Sequence, residues 1–142
     1  MREAGYQVIG ESGKSDLPVV KSFEDLLVWQ QGRRLVKEVY LLTKILPAEE
    51  KFGLISQMRR AAVSVPLNIA EGHSRNSRKE YLHFLSISVG SLAELKTLFI
   101  LCVDLEYLSP EKIISVQDLL DKTVKMIRNL QRKLKNPDSS NP

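Results

Sequence analysis

The sequence predicts an all-α protein, an antiparallel up-down-up-down four-helix bundle. In four segments the apolar residues recur at three- and four-residue steps, and no segment alternates apolar and polar residues between hairpin turns. The connections between segments are short, which makes consecutive helices antiparallel neighbours. A chain of 142 residues is long enough for one domain with a core and short for two.

The first segment begins near Ser22, with Ser22 or Asp25 available as a cap. Val28, Leu35, Val39, Leu42 and Leu46 form its stripe, widened by Trp29, Val36 and Tyr40, until Pro47 ends it. The second, from about Glu49 to Glu71, keeps Phe52, Ile55, Met58, Ala62, Val65 and Ile69 on one face, with Gly72 as its stop. Pro66 lies inside it, removing a backbone donor and crowding the Ala62 carbonyl, so a kink or local break is expected there. Ser77 and Glu80 make the capping box of the third, which meets no breaker before Ser109 and Pro110. Ser109 as cap and Pro110 at the first helical position start the fourth, with Ile113, Val116, Leu120, Ile127, Leu130 and Leu134 in phase.

Residues 1–21 carry glycines and a proline without helical period and are expected to be a flexible leader; 136–142, NPDSSNP, are expected to be a disordered tail. The bundle domain is then 22–135. No uninterrupted apolar run reaches the ~18 residues of a membrane helix. The N-terminus lacks the basic-then-apolar pattern of a secretory signal. Cys102 is the single cysteine and sits in the apolar run LFILCV, as a small buried hydrophobe of a reducing compartment does. These features predict a cytoplasmic protein without membrane contact.

The net charge is +4 and unevenly spread. Between 122 and 135 there are Lys122, Lys125, Arg128, Arg132, Lys133 and Lys135 and no acid. Two readings stand: cations complementing a helix C-terminus, or contact with nucleic acid.

Polar residues of the second segment, Arg60, Ser64, Asn68, Glu71 and Arg75, share one stripe at steps of four, four, three and four. A solvated face, a polar network with another helix and a ligand site are all compatible with that spacing. The network reading makes Arg60, Ser64, Asn68 and Glu71 structural residues. In the third segment Ser86, Ser88, Gly90, Ser91 and Ala93 permit close helix approach, and LFILCV is apolar all round. The surplus apolar surface predicts self-association, with Gly90, Ser91, Leu98 and Leu101 at the contact.

The motifs FEDLLVWQ (23–30), FGLISQMRRAAVSVPLNIAEG (52–72), SRKEYLHFL (77–85) and GSLAELK (90–96) occur here in order. In them the chain resembles the small four-helix-bundle proteins encoded in intervening sequences of bacterial large-subunit ribosomal RNA genes. The resemblance covers about residues 22–135 and implies a ring-shaped homopentamer with no established enzymatic activity. It extends in fold to the basic, pentameric accessory proteins of diversity-generating retroelements, which work with a reverse transcriptase and nucleic acid.

Enzymatic readings find little in the residues. Glu80 and His83 have the Glu-x-x-His spacing of di-iron bundles, but no second pair follows; His73 lies in EGHSRN and is expected in a loop. No metal, cofactor or catalytic residue is expected. Gly72 is isolated, so there is no phosphate loop, and no motif places a histidine by a serine. Trp29 and Tyr40, the aromatic residues best suited to base stacking, are expected on the core side. The remaining candidates for RNA or DNA contact are Arg75, Arg78 and Lys79, close to a helix N-terminus, with Arg128, Arg132 and Lys133 adding to the field.

Overall fold

A computed structural model describes residues 22–137; the expected leader, and the expected tail from 138 on, lie outside the described residues. Four helices, α1 (Leu27–Thr43), α2 (Leu54–His73), α3 (Arg78–Asp104) and α4 (Ile114–Lys135), form an all-α bundle. Each packs on its sequence neighbour and α4 returns to α1. Contacting pairs run in opposite senses: Met58 meets Cys102 and Val65 meets Ser88 across α2 and α3, while Ser86 meets Gln131 and Lys96 meets Asp121 across α3 and α4.

Periodicity placed the core correctly for most positions. Val28, Leu35, Val39, Met58, Ala62, Val65, Ile69, Leu120, Ile127 and Leu130 are buried, with Leu85, Leu92, Leu95 and Phe99 from α3 between them. Two residues depart: Tyr40 is 37% exposed, and Phe52 is 89% exposed because it precedes α2 and lies in the turn leading to Gly53. The length and composition of α3 would suit a membrane crossing, at a mean hydropathy of 1.6, but one side of it, from Tyr81 to Cys102, is buried in the core of the bundle.

The ends of the helices follow local chemistry. Ser22 caps a short 3₁₀ turn, Phe23–Asp25, and α1 starts only after extended Leu26. A second 3₁₀ turn, Ala48–Glu50, precedes α2, whose first free donor, the Leu54 N–H, bonds Glu50 Oε1 at 3.0 Å. The same carboxylate accepts the Tyr107 hydroxyl at 2.9 Å, tying the start of α2 to the end of α3. Ser77 Oγ accepts the Glu80 N–H as the capping box requires. The end of α3, not marked by any glycine, is a Schellman motif: Glu106 takes φ 64°, its N–H bonds Val103 O, and the Tyr107 N–H bonds Cys102 O. Ser109 caps a 3₁₀ turn, Pro110–Ile113, that leads into α4.

Pro66 does not break α2, which is helical on both sides of it. The ring is accommodated by a glycine: a Cβ at Gly32 of α1 would lie 3.3 Å from Pro66 Cβ and Cδ. Gly72 also differs from expectation. It is buried inside α2, which ends at Ser74 after His73, and it serves close packing against α3 rather than termination. His73 is therefore a helical residue, half-buried edge-to-face against Tyr81, and burial pushes its pKa down.

Candidate functional site

The basic turn between α2 and α3 is less available than its composition suggests. The Arg75 guanidinium bonds Glu71 Oε2 at 2.7 Å, lies 3.5 Å from Glu80 Oε1, and rests 5.0 Å from the Phe84 ring centroid. Two carboxylates thus neutralise the first cation of the predicted triad. Arg78 and Lys79, the other two cations, are exposed and form no ion pair with a described residue.

The acid-free run falls on α4. Lys122, Lys125, Arg128, Arg132 and Lys133 are all exposed and follow the helical repeat, so they line the outer face over three turns. Arg128 donates to Gln131 Oε1 at 3.1 Å and Arg132 donates to Asn129 Oδ1, neutral partners that leave the positive charge in place. Gln131 in turn donates to Ser86 Oγ at 3.1 Å, which brings the last turns of α4 beside the first turns of α3. Arg78, Lys79, Arg132 and Lys133 therefore belong to the same end of the bundle.

The polar stripe of α2 divides into separate parts. Asn68 Nδ2 donates to Ser64 O at 2.8 Å and to Ser64 Oγ at 2.9 Å, and Ser91 Oγ donates to Ser64 Oγ at 2.8 Å. This network joins α2 to α3, as one sequence reading expects. Arg60 is exposed and outside it, and Glu71 pairs with Arg75 at the surface, its side chain 50% exposed. A buried Arg60–Glu71 pair does not form.

The small and apolar residues of α3 also divide. Ser88, buried, donates to Val65 O at 2.9 Å, and Ser91 belongs to the network above, so both serve packing within the chain. Leu98 is only 6% exposed and is a core residue, which removes Ser91 and Leu98 from the outer surface. Gly90 faces open space, and Leu101 is 41% exposed beside Ile100, with Ile87 and Leu105 partly open on the same helix. The outer face of α3 thus carries Ile87, Gly90, Ala93, Ile100 and Leu101, interspersed with His83, Ser86, Glu94, Thr97 and Asp104.

The groove between α1 and α2 was not anticipated from the sequence. It has a volume of about 780 Å³; Trp29 and Val36 of α1 and Val63, Pro66 and Leu67 of α2 make its apolar lining, and Arg33, Arg34 and Lys37 supply its charge. Trp29 is half-buried there, with the Phe23 ring edge-on at 5.2 Å and Arg33 at 5.2 Å over its face. Tyr40, a turn further on, is partly exposed under the Arg59 guanidinium at 4.4 Å. Trp29 packs against the core, as its spacing predicts, while also lining the groove; Tyr40 is off the core side to which the period assigns it. The available signal was Gly32 and Pro66, two residues that let α1 and α2 approach closely and leave an open furrow beside the contact.

Cys102 is buried, its Sγ 3.7 Å from Met58 Sδ, and burial pushes the thiol up to about 11. Glu80 is engaged with Arg75, and His83 packs edge-to-face on Phe84 rather than beside a carboxylate pair.

Comparison with known proteins agrees with this architecture. A solved structure, described as a protein of unknown function from the S23 ribosomal protein family of Bacteroides thetaiotaomicron VPI-5482, superposes with a TM-score of 0.70 over 75% of this chain and 99% of that one. At 22% identity that likeness concerns the fold. Among curated proteins nothing matches. The 23S rRNA-intervening sequence protein profile matches residues 24–129, the stretch that holds all four helices but the last turns of α4, and the chain belongs to that family.

Proposed function

We propose that the protein is a non-enzymatic, self-associating helical bundle that binds nucleic acid without sequence selection. The observation that carries the reading is the outer face of α4, where Lys122, Lys125, Arg128, Arg132 and Lys133 stand exposed with no acid between 122 and 135. Neutralising phosphates with such a row releases counterions, and phosphate contacts carry no sequence information. The exposed Gly90, Ile100 and Leu101 on the outer face of α3 support self-association, and several copies of a weak site on one polymer give avidity. A homopentameric ring, as the family resemblance implies, is the assembly this reading adopts.

A second reading is favoured by the α1–α2 groove: an interaction scaffold whose cations serve solubility, with a protein such as a reverse transcriptase as its partner. Fluorescence anisotropy with short RNA and DNA across a salt series separates the two. Binding with a steep salt slope is expected, and the K125A/R128A/R132A variant should lose about 2 to 3 units of that slope. Arg75→Ala, whose charge is already paired, should change little. Equal binding by the triple variant rules out α4; no binding by wild type at low salt leaves the scaffold. Light scattering tests the assembly, since a monomer mass at micromolar concentration, or an unchanged oligomer in Leu101→Glu, contradicts the α3 contact.

A further inference from the structure

The α1–α2 groove is distinct from the α4 row and has a different chemistry. Its floor offers aliphatic and aromatic carbon, and Leu67 on its α2 side is 62% exposed although it lies mid-helix. Every charged side chain that lines it is positive: Arg33, Arg34 and Lys37, all from α1. None of the three forms an ion pair with a described residue, and Arg33 is instead held over Trp29. A duplex would meet the rim with its phosphates and leave the floor wet, because its bases are stacked inward and its backbone presents no apolar group to fill it. A neutral or basic segment would cover the floor and leave three cations facing nothing of opposite sign.

We propose that this groove is a docking site for an acidic amphipathic helix of a protein partner. The groove runs from Trp29 to Lys37 along α1, about eight helical rises, or ~12 Å. That length accommodates about two turns of a third helix, which projects apolar anchors at i, i+3 or i+4, and i+7 along one face. The anchors cover Val63, Pro66 and Leu67 and meet the exposed edge of Trp29. Glutamates or aspartates flanking them fall opposite Arg34 and Lys37. The half-buried apolar centre supplies affinity, and the one-signed rim fixes which helices are accepted and speeds their encounter.

Trp29 is the only tryptophan of the chain and reports on its own groove. The probe is a synthetic helical peptide with leucines at i, i+3, i+4 and i+7 and glutamates elsewhere, titrated into the full chain while Trp29 emission and peptide anisotropy are read. A twin with lysine for every glutamate is the control. The expected result is saturable binding of the acidic peptide with a blue shift of Trp29, and at least tenfold weaker binding of the basic twin. Leu67→Asp, at an exposed position where the fold is retained by circular dichroism, should weaken the acidic peptide tenfold or more. R34E/K37E should reverse the preference between the twins. Equal affinity for both peptides, no binding to wild type, or indifference to both variants overturns the proposal. Two other occupants are excluded in the same experiment. A drop in oligomer mass for Leu67→Asp would assign the groove to a second copy, and displacement of the acidic probe by an equimolar peptide of residues 3–20 would assign it to the chain's own N-terminal segment. Either result overturns the partner helix.

Discussion

Gly72 of α2 and Phe84 of α3 approach so closely that a Cβ at position 72 would lie 2.8 Å from the Cβ of Phe84. The Tyr81 carbonyl is 3.3 Å from the same point, so neither neighbour is a free side-chain end that can swing away. Gly72→Ala should push the two helices apart and cost about 1 to 3 kcal/mol, the usual penalty of overpacking. Gly90, on the outer face of α3, has nothing within 4 Å of its built Cβ. There Gly90→Ala should gain roughly 0.5 to 1 kcal/mol from helix propensity. Urea melts of the two variants should move in opposite directions; a shared direction would mean the close approach is absent.

Glu50 predicts a pH dependence. The Leu54 N–H and then the Tyr107 hydroxyl hold its carboxyl below the usual range, and the same hydrogen bond holds Tyr107 above the usual phenol range. A depressed carboxylate contributes stability that is present above its unfolded pKa and is lost as pH falls through the folded one. A raised phenol contributes stability below its unfolded pKa and loses it as pH rises through the folded one. Glu50→Gln should flatten the acid limb of Tm against pH, and Tyr107→Phe should flatten the alkaline limb. Differential scanning fluorimetry from acid to alkaline pH checks both, and unchanged limbs would remove the pair.

Within the polar stripe of α2 the effects should be graded by burial. Ser91→Ala removes a buried donor to Ser64 and should cost about 0.5 to 1.5 kcal/mol. Glu71→Ala breaks a pair whose side chains are about half exposed and should cost about 0 to 1 kcal/mol, less in high salt. Chemical denaturation at two ionic strengths tests the order; a larger loss for Glu71 contradicts it.

Glu106 holds φ 64° at the end of α3, a conformation that costs a side-chain-bearing residue of order 1 kcal/mol. Glu106→Gly should therefore raise stability although it deletes a side chain. A lower melting temperature would show that the Glu106 side chain contributes more than the backbone loses.

The Cys102 thiol, pushed up to about 11 and fully buried, should resist alkylation in the native state near neutral pH. Its labelling rate should track global unfolding across a denaturant series. Fast labelling without denaturant would place the sulfur at the surface.

The sequence by itself determined the helices and their phase. Ile113, Val116, Leu120, Ile127, Leu130 and Leu134 are buried as their spacing requires, and Ser77 and Ser109 cap where their chemistry predicts. The Glu71–Arg75 pair joins the last two members of the stripe that the spacing marked, one in α2 and one just beyond its end. Helical period says which residues share a face, but not which neighbour that face meets or how closely. Leu98 and Leu101 are three residues apart in one apolar run, yet α3 turns the first into the core and leaves the second open. Only the packing of α1 on α2 placed Gly32 against Pro66, left Tyr40 under Arg59 at the surface and set three cations beside an apolar floor. The groove is a property of two helices at a fixed separation, and that separation is decided by side chains distant in sequence.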